Sequence, residues 1–277
     1  MSLLTPDTKA PVRPSLAEMA ASTEVPTTES ALNLKYRIMY LRSYLLMRAI
    51  IGFVGVSFPV VLILGDHLLD SDAPGVRGSL SAYYYSGMRD FFVGGLATAG
   101  IFLITYKVFE KSLNNVLSII GGLAALGVAF FPTSRSEGIN APLTPLQTRL
   151  GEVTVSHVHF TSAGVFMVSL AIISFFFGLQ EGRRTQDRPT GRARLSPRFW
   201  RWFHWFCTVL ILGAVVFVIE SKQQHVVEGN PVLVGEVIAL VAFGLSWFFK
   251  GLELNILLGT GRAKREYAAR EAVAARQ

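Results

Sequence analysis

The sequence predicts an all-α fold, a polytopic membrane bundle of six transmembrane helices, from its composition, its six long apolar runs and the alternation of its basic residues. Of 277 residues, 51% are hydrophobic and 16% charged, whereas soluble domains carry about 25% charged residues; the surplus apolar surface needs lipid to cover it. A bilayer core of ~30 Å takes about 20 residues of helix, because only a helix or a closed barrel satisfies its own backbone there. The lone cysteine, Cys207, excludes an internal disulfide framework and a multi-cysteine zinc site. The net charge of +7 would raise nucleic-acid binding in a soluble protein. Here its placement assigns it to the membrane surface, and no nucleic-acid partner is expected.

The first span is expected from Leu45 to Gly65, stopped by Asp66 and His67, and the second from Asp90 to Tyr106, between Arg89 and Lys107. The third, Val116 to Phe131, is short and ends at Pro132. The fourth runs from His159 to Leu179, the fifth from Phe203 to Ile219, and the sixth from Val232 to Phe249. Pro231 suits the first turn of the sixth, and Lys250 and Gly251 close it. All six are apolar most of the way round, as buried or lipid-facing helices are.

Basic residues in short loops stay on the cytoplasmic side. Lys35, Arg37, Arg42 and Arg48 precede span one, and Lys107 and Lys111 separate spans two and three. Arg183, Arg184, Arg188, Arg192, Arg194, Arg198 and Arg201 follow span four, and Lys250, Arg262, Lys264 and Arg265 follow span six. The other loops hold only Arg77, Arg89, Arg135, Arg149 and Lys222, so seventeen basic residues stand against five. Both termini are therefore expected in the cytoplasm. Trp200, Trp202, Trp205 and Trp247 fall at the expected inner boundary, with Tyr83, Tyr84 and Tyr85 just outside span two, as interfacial aromatics do. Residues 1–34, rich in Pro, Thr, Ser and Ala, read as a disordered tail, residues 35–261 as the membrane domain, and 262–277 as a polar tail able to lie on anionic lipid.

Within lipid, helices associate through small residues and a few hydrogen bonds. Gly94, Gly95, Ala97, Ala99 and Gly100 in span two, and Gly121, Gly122, Ala124, Ala125, Gly127 and Ala129 in span three, predict close approach of those two backbones. Spans four and five, with Phe175, Phe176, Phe177 and Phe217, are expected on the lipid side. An ionisable group inside a span costs roughly 2.5 to 3.5 kcal/mol on insertion scales, and Glu236 is the one expected well inside, on the order of 8 Å below the outer boundary. It suits a proton or ion carrier, a metal ligand or an acid, or else a structural bond to another helix end, for instance Arg89. Asp90 fits the amides at the start of span two. His157 and His159, two apart, point about 200° apart on a helix, so both face one metal only if the first precedes it. Ser81, Tyr83, Tyr85, Ser86, Asp90, His157, His159, His225 and Glu236 all belong to the outer third, which predicts an outward-facing polar cleft; nothing comparable is expected at the inner face.

The segment GSLSAYYYSGMRDFFVGGLATAGIFLITYK, 78–107, with GGLAALGVAFFPT at 121–133, HFTSAGVFMVSL at 159–170 and GEVIALVAFGLSWFFKG at 235–251, resembles uncharacterised bacterial six-span proteins of the DUF998 and Frag1/DRAM type. The resemblance covers spans two, three, four and six, and implies a bacterial cytoplasmic membrane location without an activity. Histidine often stands in that pattern where this chain has Tyr85, a departure that counts against a metal site. A more distant resemblance to the CREST membrane hydrolases implies a zinc site for amide cleavage, onto which Ser81 or Ser86, Asp90 and His159 map loosely. That group's pair of histidines four apart on a late span has no counterpart here. The leading expectation is a non-catalytic bundle that binds a membrane lipid or small amphiphile around Glu236, Asp90 and His159, alone or as a homo-oligomer. The alternatives are a zinc-dependent amide or ester hydrolase, with His157, His159, Asp90 and Glu236 as candidate ligands, and a proton- or ion-coupled transporter.

Overall fold

The computed structural model describes residues 28–69, 75–105, 113–135, 141–183, 197–224 and 229–258. The chain divides into Met1–Leu41 with Thr260–Gln277, and Arg42–Gly259. Of the first unit only the helical residues 28–41 are described. The elements of the second are α1 (Thr28–Leu69, begun in the first unit), a 3-10 turn (Ser81–Tyr85), α2 (Arg89–Thr105), α3 (Leu113–Phe130), α4 (Pro145–Leu150), α5 (Glu152–Arg183), α6 (Pro197–Gln224) and α7 (Pro231–Leu258). No strand occurs among the described residues.

Five helices, α1, α3, α5, α6 and α7, are long and apolar enough to cross a membrane. The second expected span is the 17-residue α2, about 26 Å by the rise per residue. Two expected stops are not stops: α1 runs through Asp66 and His67 to Leu69, and α7 runs past Lys250 and Gly251 to Leu258. Asp66 is buried against Arg77 of the segment that follows, and Lys250 against Glu181 of α5, so a charge continues the helix instead of ending it. Lys107, Lys111, the 184–196 loop and the tail at 262–277 lie outside the described residues.

Small residues set the order of the helices. A Cβ on Gly100 would lie 2.8 Å from Gly122 O, and one on Gly122 2.6 Å from Gly100 O, so α2 and α3 touch backbone to backbone where the glycine-rich runs predicted it. Gly121 and Gly127 of α3 meet Ser169 and Ser162 of α5, and Gly178 of α5 meets Trp205 of α6. Gly235 of α7 faces Val218 and Ala214 of α6, while Gly52 and Gly244 bring α1 against α7. Gly95 receives Phe58, which joins α1 to α2. The order α1, α2, α3, α5, α6, α7 and back to α1 is a closed ring of antiparallel neighbours, as short connections between helices favour. Span four is lipid-facing only on one side, where Phe175 is 41% exposed. The α5 helix packs on α3, α6 and α7, and Phe177 is 1% exposed.

Candidate functional site

At one end of the ring, residues 75–88 lie over the helix ends, tied by polar contacts from several elements. Arg77 Nε and Nη2 donate to the Asp66 carboxylate at 2.7 and 3.2 Å, a two-pronged pair whose geometry suits guanidinium. Val76 O accepts from Asn230 Nδ2, and Gly78 O from Leu233 N, both across to the start of α7. Leu80 N donates to Glu236 Oε2 at 2.6 Å. Glu236 thus holds a buried loop amide, the structural use weighed from the sequence, although with Leu80 rather than Arg89. Arg89 donates to Tyr84 Oη at 2.8 Å.

The next turn is fixed by Tyr85, whose Oη donates to Thr133 O and accepts from Gln147 Nε2 at 2.7 Å. Burial pushes the Tyr85 phenol above its ordinary value, with Gln147 acting against that rise, so the group remains a proton donor at neutral pH. Gln147 is the N3 residue of a capping box opened by Thr144, a spacing visible in the sequence as T-P-L-Q. Ser86 Oγ donates to Tyr83 O and accepts from Met88 N, closing the turn ahead of α2.

His159 joins three elements. Its Nε2 is 2.9 Å from Ser81 Oγ, and its Nδ1 2.6 Å from Phe131 O. The latter is a carbonyl just past the end of α3, where helical acceptors run out. His157 is exposed on the same helix while His159 is 1% exposed, as their two-residue spacing requires. Asp90, in the first turn of α2, is exposed too. The structure therefore brings Ser81 to His159, and Glu236 to the residue beside Ser81, but leaves Asp90 and His157 on the outside; His225 lies outside the described residues. No three His, Cys, Asp or Glu side chains among the described residues gather as metal ligands. Ser81, Tyr85, Ser86, His159 and Glu236 each bond to groups of this same end.

Open space lies deeper and is apolar. Phe58 of α1, Gly95 and Ala99 of α2, Phe166 of α5, and Leu240 and Phe243 of α7 line a shallow, partly open cleft. Phe166 is two turns along α5 from His159, about 10 Å by the rise per residue.

The opposite end holds a polar layer that is not expected from the sequence. Lys250 of α7 pairs with Glu181 of α5, the two side chains 1% and 0% exposed. Arg48 of α1 lies 4.6 Å over the Phe177 ring and Lys250 5.8 Å from it, cation–π contacts that desolvation strengthens. His204 Nδ1 meets Ser246 Oγ at 2.9 Å, and Trp247, expected at the interface, is fully buried. The signal is present as charges on the last turns of apolar runs, where position alone makes them look like flanks. Comparison with protein-family models, curated proteins and solved structures finds no match to this chain.

Proposed function

We propose that the protein is a six-crossing membrane bundle with both termini cytoplasmic, which binds the apolar chain of a membrane lipid or similar amphiphile in the cleft between α1, α2, α5 and α7. The observation that carries this reading is the cleft itself. It is apolar, with Gly95 and Ala99 among its lining, and lies below a fixed polar layer at one helical end, so chain and headgroup would each meet their own kind of surface. Because the cleft is shallow, it would seat part of an acyl chain along the ring and not engulf a whole molecule. The Arg-rich side of the chain supports the orientation.

The test fills the cleft. Ala99→Leu adds three carbons at its lining, whereas the neighbouring Thr98 is exposed, and Thr98→Leu serves as control. Native mass spectrometry of protein released from membranes in mild detergent should show bound lipid on the wild type and on Thr98→Leu, reduced several-fold on Ala99→Leu. Equal lipid on all three, with folding intact, removes the cleft as a binding site.

A further inference from the structure

We propose that Ser81 is a nucleophile and His159 its general base, acting on the neutral acyl ester of an amphiphile; the substrate class rests on the cleft reading above, the chemistry does not. Phe131 O can only accept a hydrogen bond. The neutral His159 ring facing it at 2.6 Å must therefore carry its proton on Nδ1, which leaves Nε2 bare toward the Ser81 hydroxyl at 2.9 Å. This is the tautomer that takes a proton from a serine, with a backbone carbonyl as the third, orienting group.

Holding the turn does not require that hydroxyl. The residue before Ser81 is anchored through Leu80 N to Glu236, Gly78 O accepts from Leu233 N, and Ala82 N donates to Ser79. The turn is thus fixed from both sides, and the serine–histidine bond is preorganised, as a site that must react in one geometry requires. Ser81 is 7% exposed and its bond to His159 is buried, the recessed setting that a water-excluding site uses.

The reaction balances without a further reagent. Ser81 Oγ bonds to the ester carbonyl carbon as its proton passes to His159 Nε2. The bond from that carbon to the alkoxy oxygen breaks, and the alcohol leaves with the proton from Nε2. Water, giving a proton to Nε2, then attacks the acyl carbon; the bond to Oγ breaks, Ser81 regains its proton and a carboxylic acid departs.

Fluorophosphonates with a long and a short alkyl chain, applied to the full chain in nanodiscs, test this directly, with peptide mapping of the adduct. The wild type should be labelled at Ser81, and Ser81→Ala should not. His159→Asn can still place an amide N–H on Phe131 O, so it keeps the capping bond while losing the base; labelling should fall by about 100-fold or more, the lower range for general-base catalysis. No adduct on the wild type, an adduct elsewhere, or an undiminished rate in folded His159→Asn overturns the proposal. The long-chain probe should react faster, and Ala99→Leu should erase that advantage while leaving short-probe labelling in place. A chain-length advantage that survives Ala99→Leu defeats the cleft reading and leaves the nucleophile standing.

Discussion

Glu181 and Lys250 come from helices α5 and α7 and lose nearly all contact with water where they meet. Desolvating two ions costs several kcal/mol each, and their attraction does little more than offset it, so truncating one partner of such a pair costs about 3 to 5 kcal/mol while removing both is close to neutral. Lys250→Met and Glu181→Leu should each lower the thermal midpoint in detergent by many degrees. Glu181→Leu should do so more, because it leaves Arg48 and Lys250 together around Phe177. The double variant should recover most of the loss; equal, additive losses in a double-mutant cycle would mean the pair is uncoupled. The same side chains show what the sequence conceals. Glu236 was legible as a costly acid because it stands a turn and a half inside an apolar run. Glu181 and Lys250 stand on the last turns of theirs, where hydropathy alone does not tell a charge aimed inward from one in the headgroups. Ser81 and His159 were both legible as outer polar residues. Their meeting was not, because it depends on how residues 75–88 fold back over the bundle.

For the helices, closeness is decided by which glycines face a neighbour. A Cβ on Gly244 would sit 2.6 Å from Val56 N, and one on Gly52 2.3 Å from Phe248 N. Both obstacles are backbone, so no side chain can move aside, and overpacking of this kind costs about 1 to 3 kcal/mol or more. Gly94 and Gly213 have nothing within 4 Å of a Cβ, and there alanine should be neutral or slightly stabilising, since glycine is the poorer helix former by about 1 kcal/mol. Thermal midpoints of Gly52→Ala and Gly244→Ala should therefore fall well below those of Gly94→Ala and Gly213→Ala; four indistinguishable variants would show that α1 and α7 do not cross at these residues. The contact of α2 with α3 was legible because small residues crowd both runs and the runs adjoin in sequence. That of α1 with α7 was not, since each contributes a few scattered glycines and the partners stand at opposite ends of the chain.

Taken as a whole, the ring has one polar layer at each end, with Arg48 roughly 27 Å along α1 from Asp66 by the rise per residue, close to the thickness of a bilayer core. The proposed sixth crossing follows from chain direction. The 3-10 turn before α2 and the segment after α3 meet through Tyr85 and Thr133, so if α3 crosses, α2 must carry the chain to where α3 begins, although α2 has only 17 described residues. Substituting the buried Cys207 by serine gives a background for single exposed cysteines, Gly87→Cys beside the 3-10 turn and Arg198→Cys at the start of α6. A membrane-impermeant maleimide on intact cells should label position 87 alone, and position 198 only after permeabilisation, because the proposed orientation puts the arginine-rich connector on the cytoplasmic side. Label at 198 alone in intact cells reverses the orientation, and label at both puts an even number of crossings between them, which removes one of the three proposed there.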